Sequence, residues 1–171
     1  MQLMVLGLNH KTAPVAVRER FSIAREDISR GLRHLHEYDE INEAAVLSTC
    51  NRSELYAVVD DAAEGLESMR QFLLDLTGNE EDISEYLYSY ENEKCIDHLF
   101  RVASSLDSLV IGEGQILSQV KQAYALAREA EATSTILNLL FHRAIATGKR
   151  VRTETRIAFS AVSVIYEAVE L

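Results

Sequence analysis

In the stretch AVLSTCNRSELYAVV, Ala45 to Val59, two runs rich in β-branched and aromatic residues flank a short polar segment. That pattern predicts two strands, AAVLST and ELYAVVD, with Cys50, Asn51, Arg52 and Ser53 as their connection. Cys50 is thereby put at a strand end, outside the apolar segments where an un-ionised thiol usually sits. Exposed backbone N–H groups and Arg52 two residues on would favour its thiolate, which makes it a candidate nucleophile; the alternative is a cysteine that merely ends a strand.

Working outward, LMVLGL (Leu3 to Leu8) reads as a buried strand, and the only proline, Pro14, stiffens a following loop. Ile28, Leu32 and Leu35 recur at helical spacing and predict an amphipathic helix over Arg25 to Glu37. Leu66, Met69, Phe72, Leu73 and Leu76 do the same over Ala62 to Thr77, where Gly78 can close the helix in a left-handed conformation. YLYSYE predicts one more strand, and Asn92 is placed to cap the helix carrying Cys95, Leu99 and Val102. The order β-α-β-β-α-β predicts an α+β fold: a small, mostly antiparallel sheet covered on one face by helices. Ile116 to Ala132 and Thr135 to Thr147 then predict a helical subdomain. We expect residues 1–156 to form the domain and 157–171 to begin a long connecting helix, because FSAVSVIYEAVEL resumes a helical period and stops without a capping residue.

Composition narrows the function classes. A chain of 171 residues, 47% of them hydrophobic, can bury a core. It has no apolar run long enough for a membrane helix and no basic secretory start, so a cytoplasmic location and two free thiols are expected. A net charge of −10 argues against general affinity for nucleic acid, so any RNA contact must be local.

Three further groups could carry chemistry. Cys95 and His98 share a helix face, but no second Cys/His pair at zinc spacing exists, so no metal site is expected. In LDSLVIGEGQILSQVKQA, the polar residues Asp107, Ser108, Glu113, Gln115, Gln119 and Lys121 converge beside a helix start, with Gly112 and Gly114 allowing close backbone approach to a small polar ligand; a solvated loop is the alternative. These glycines lack the third glycine and preceding strand of a dinucleotide loop. Lys149, Arg150 and Arg152 concentrate positive charge that could meet RNA phosphates or simply face solvent.

GLNHKTAPVAVRE, STCNRSELY, HLFRVASSLDSLVIGEGQILSQVK and SAVSVIYEAVEL together resemble the N-terminal catalytic domain of the glutamyl-tRNA reductase family, in order and nearly in spacing, over essentially the whole chain. The resemblance implies a glutamyl-tRNA substrate, reduced with NADPH to glutamate-1-semialdehyde in the first step of tetrapyrrole synthesis. It implies that Cys50 forms a glutamyl thioester, that Thr49, Asn51, Arg52, Ser108, Glu113, Gly114, Gln115 and Gln119 bind substrate, and that His98 supports activity as proton donor or positioning group. Arg52 would hold a substrate carboxylate in a bidentate fork. The family continues into an NADPH-binding domain and a dimerisation domain that have no counterpart in this sequence, so homodimerisation and any partnership with glutamate-1-semialdehyde aminomutase are expectations for the longer protein. Two other readings remain: a non-catalytic tRNA-binding or regulatory module of the same fold, and a thiol hydrolase unrelated to tRNA.

Overall fold

The computed structural model describes residues 1–78 and 82–157. The expected connecting helix lies, apart from Ile157, outside the described residues. The strands are β1 (Gln2–Asn9), β2 (Ile41–Ser48), β3 (Arg52–Val59) and β4 (Tyr88–Glu91). The helices are α1 (Val15–Arg20), α2 (Arg25–Arg33), α3 (Ala62–Thr77), α4 (Asn92–Ala103), α5 (Gln115–Glu129) and α6 (Thr135–Glu154), with short 3-10 turns at Leu35–Glu37 and Ser84–Tyr86. The strands form one antiparallel sheet in the order β2-β3-β1-β4. This is the expected α+β arrangement.

Helices cover both faces of the sheet rather than one. β3 is buried along its whole length, and side chains alternate between faces along a strand. Val59 points at α3, where a Cβ added at Gly65 would lie 2.6 Å from it. Tyr56 points the other way and meets His98 of α4 and Phe141 of α6 with ring centroids 6.5 and 5.7 Å apart. Double coverage explains why LYAVV has no polar face. The second half of the chain shares this core: Val102, Val120, Leu137 and Phe141 belong to the same buried cluster as the sheet residues.

Local chemistry also shifts three expected boundaries. Pro14 precedes α1 as its N-cap instead of stiffening a loop, because a fixed φ near −66° suits a helix entry. Asn92 opens α4 at φ 48°, a left-handed conformation that asparagine tolerates, and its side chain accepts from the Leu3 amide at 3.2 Å rather than capping the helix. Arg52 and Ser53 belong to β3, so the connection between β2 and β3 shrinks to Thr49, Cys50 and Asn51.

β2 is an edge strand, and α5 together with the turn after it covers it: the Ala44 amide donates to the Ala132 carbonyl at 2.8 Å. Next to Ala44, at a register shift in β2, Glu43 turns inward and caps α6. Its carboxylate accepts from the amides of Ser134, Ile136 and Leu137 at 2.8, 3.1 and 2.9 Å, and Ser134 offers no side-chain cap of its own. Replacing Glu43 with Ala should destabilise the domain by about 1–3 kcal/mol, since one buried and two partly buried helix amides lose their acceptor. Urea unfolding would check this, and a midpoint equal to wild type would refute it.

Candidate active site

Cys50 is exposed at the tip of the β2–β3 hairpin. The Thr49 hydroxyl accepts from the amides of Asn51 and Arg52, each at 3.2 Å, and shapes the turn. Two neighbours brace it from outside. The His10 amide donates to the Asn51 carbonyl at 3.0 Å, and the Arg18 guanidinium donates to Asn51 Oδ1 at 2.8 Å and to the Cys50 carbonyl at 3.3 Å. Burial first, then the charge of Arg52, lowers the His10 pKa from its usual value.

A narrow cleft opens beside the thiol, lined by Thr49, Cys50, Asn51, Arg52, Ser108, Glu113 and Gln119, with Leu109 and Ile116 as apolar wall. The fold thus brings the hairpin together with the loop before α5. That loop is tied at its base: the Ser105 hydroxyl donates to the Glu113 carbonyl at 2.6 Å and the Gly112 amide to the Ser105 carbonyl at 3.1 Å. Gly112 holds φ at 87°, which only glycine adopts freely. Gly114 and Gln115 sit at the exposed start of α5, outside the cleft lining.

Beneath the cleft lies a buried polar network. Arg52 begins β3 and shares a face with Glu54 and Tyr56, two and four residues on. Arg52 Nη1 donates to Glu54 Oε1 at 2.7 Å, and Nη2 donates to both the main-chain carbonyl and the side chain of Asp107, the latter at 3.2 Å. Lys11 pairs with the same Asp107. Glu54 also receives Tyr56 Oη at 2.7 Å, the Tyr88 hydroxyl, and His98 Nε2 at 2.9 Å. Gly7 makes this possible. It lies between Glu54 and Tyr88 in the sheet, and a Cβ there would come within 2.5 Å of the Ser53 carbonyl and 2.8 Å of the Glu54 side chain.

The expected free fork at Arg52 is therefore engaged, because its position at the strand start turns it inward to a carboxylate that cannot stay buried unpaired. His98 touches Glu54 and three tyrosine rings but not the Cys50 cleft; it lines a separate cavity along α4. Cys95 is buried, and burial pushes its thiol up to about 12. In the basic cluster, Arg150 pairs with Glu154 at 3.1 Å. Arg152 instead lies against Gly114 and donates to the Glu113 carbonyl at 3.5 Å, leaving Lys149 exposed on α6. Sequence reasoning missed Glu54 as a site residue, although the alternation Arg52, Glu54, Tyr56 within one strand carried the signal. It also missed His10, Lys11 and Arg18, which reach the turn only through the fold.

The described residues do not fit a nicotinamide dinucleotide. Gly112 and Gly114 follow a loop rather than a strand, and the space above Gly114 is taken by Arg152.

Fold and cleft together define a two-faced α+β domain that displays one thiol at a hairpin tip above a buried ion-pair network. The family model described as glutamyl-tRNAGlu reductase, N-terminal domain, matches residues 6–155, and the chain belongs to that family. Proteins named glutamyl-tRNA reductase from Pelobacter propionicus and Geobacter sulfurreducens are 53% and 49% identical over all of this chain. The chain spans 39% and 40% of their lengths. The solved structure of glutamyl-tRNA reductase from Methanopyrus kandleri superposes with a TM-score of 0.72 at 30% identity, covering 90% of this chain and 35% of that one.

Acid stability should report on the network. Burial raises the Glu54 pKa, but Arg52 and then the His98 hydrogen bond outweigh it and hold the group at about 2. A carboxyl held below its unfolded value stabilises fully above the usual carboxylate range and loses that contribution as pH falls through the range toward 2. Glu54→Gln should unfold about 3–5 kcal/mol more easily at neutral pH, with the difference shrinking toward pH 2. Urea titrations across pH would check it, and a pH-independent difference would refute it.

Proposed function

We propose that this chain performs the acyl-transfer step of glutamyl-tRNA reduction. The observation that carries the reading is the exposed Cys50 in a cleft that also gathers Thr49, Asn51, Arg52, Ser108, Glu113 and Gln119. The Cys50 sulfur, as thiolate, attacks the carbonyl carbon of the glutamyl ester. The C–S bond forms, the bond to the terminal ribose oxygen breaks, and that oxygen takes up the proton the thiol released. The products are a glutamyl thioester on Cys50 and free tRNA.

Ser108, Gln119 and the Thr49–Asn51 turn supply hydrogen bonds for the aminoacyl group, and Glu113 or Gln115 orients its amino group or the ribose. A substrate carboxylate reaches the Arg52 fork by displacing Asp107 from Nη2. His98 acts as a positioning residue, through Glu54, on Arg52. Reduction of the thioester by NADPH to glutamate-1-semialdehyde, at the head of tetrapyrrole synthesis, belongs to our reading of the longer protein. So do homodimerisation and delivery of the aldehyde to an aminomutase.

Intact-protein mass spectrometry after mixing the chain with glutamyl-tRNA should show a glutamyl adduct on wild type and on Cys95→Ser, removable by hydroxylamine. Cys50→Ser should show none. Absence of an adduct on wild type, with ester cleavage no faster than for Cys50→Ser, would favour the binding-module reading.

A further inference from the structure

A separate cavity lies apart from the Cys50 cleft. It has a volume of about 420 Å³ and runs along α4, with His98 on one wall and the half-exposed Tyr90 beside it. Lys94, Asp97 and Arg101 fall on one helix face at three- and four-residue spacing, with Glu93 next to them, so the Lys94 and Arg101 positions lie about 10 Å apart along the helix axis. Neither Lys94 nor Arg101 pairs with a carboxylate among the described residues. Asp107 lines this cavity, while its partner Arg52 lines the Cys50 cleft. One ion pair thus separates the two.

We infer that this cavity holds the single-stranded CCA end of the RNA just upstream of the esterified ribose. The inference rests on the acyl-transfer reading: an ester over Cys50 leaves the preceding nucleotides to cross the Arg52–Asp107 partition. The lining suits them better than it suits a simple anion. Tyr90 offers a ring for base stacking. Glu93 and Asp97 accept hydrogen bonds from the exocyclic amino groups of cytosine and adenine, and Lys94 and Arg101 meet the phosphates. Such local recognition is what a chain of net charge −10 requires.

The test is fluorescence anisotropy with a labelled, uncharged RNA stem-loop ending in CCA, over a salt series. Lys94→Ala with Arg101→Ala should weaken binding about tenfold and flatten the logarithmic salt slope by roughly 1.4, two single-strand phosphate contacts' worth. Tyr90→Ala should weaken it by about tenfold, and RNA trimmed of its CCA end should bind wild type no better than the intact RNA binds the double variant. Unchanged affinity and slope in the double variant, equal binding of trimmed RNA, or a loss that follows only Lys149→Ala with Arg150→Ala would overturn the inference. Because the RNA carries no ester, CCA-dependent binding without a Cys50 adduct would sink the acyl-transfer reading alone. An adduct without such binding would sink this inference alone.

Discussion

A carboxylate buried out of reach of bulk solvent is the constraint from which the site follows. Glu54 is fully buried near the middle of the sheet, where an unpaired charge would cost several kcal/mol. The groups that satisfy it come from three elements: Arg52 and Tyr56 from β3 itself, Tyr88 from β4, His98 from α4. Arg52 in turn needs Asp107, and Asp107 takes Lys11. The demand for neutrality at one point thereby fixes the hairpin carrying Cys50 against the loop carrying Ser108 and Glu113. Gly7 is the steric condition for the arrangement, since any side chain there would occupy the space Glu54 uses.

The strands and helices were largely legible because they follow hydrophobic period. α3 matches its expected bounds from Ala62 to Thr77 with Gly78 in the left-handed conformation, and β2 and β3 lie where the residues flanking Cys50 put them. What period cannot show is which face a polar residue takes when both faces are buried. Arg52 and Ser53 looked like turn residues by polarity, yet the ladder continues through them, and the side chain of Arg52 follows the pleat inward. Glu43 misleads in the same way, since a charged residue in a strand suggests solvent until the start of α6 is brought to it.

The candidate site was legible as a set of residues and less so as an arrangement. The resemblance groups Thr49 to Arg52 with Ser108, Glu113, Gly114, Gln115 and Gln119; one cleft is lined by these residues except Gly114 and Gln115. His98 was grouped with Cys50 as well, but it stands behind Glu54 on the other side of the Arg52–Asp107 pair. Partners 44 and 55 residues apart meet only through tertiary structure, and no local pattern encodes such a distance. The arrangement separates the exposed nucleophile from the groups that set the charge beneath it.

That separation has a consequence in time. The β2–β3 hairpin closes through contacts between near neighbours in sequence, which form quickly, whereas the remaining partners of the Arg52–Glu54 pair, Tyr88, His98 and Asp107, come from later segments. On a ribosome, the turn bearing Cys50 emerges well before β4, α4 and the loop beyond it. Until those segments arrive, Arg52 and Glu54 must keep their water, and β3 cannot bury that end. Sealing the sheet around Glu54 is then a late, long-range event, and the thiol is on display before the charge beneath it has been set.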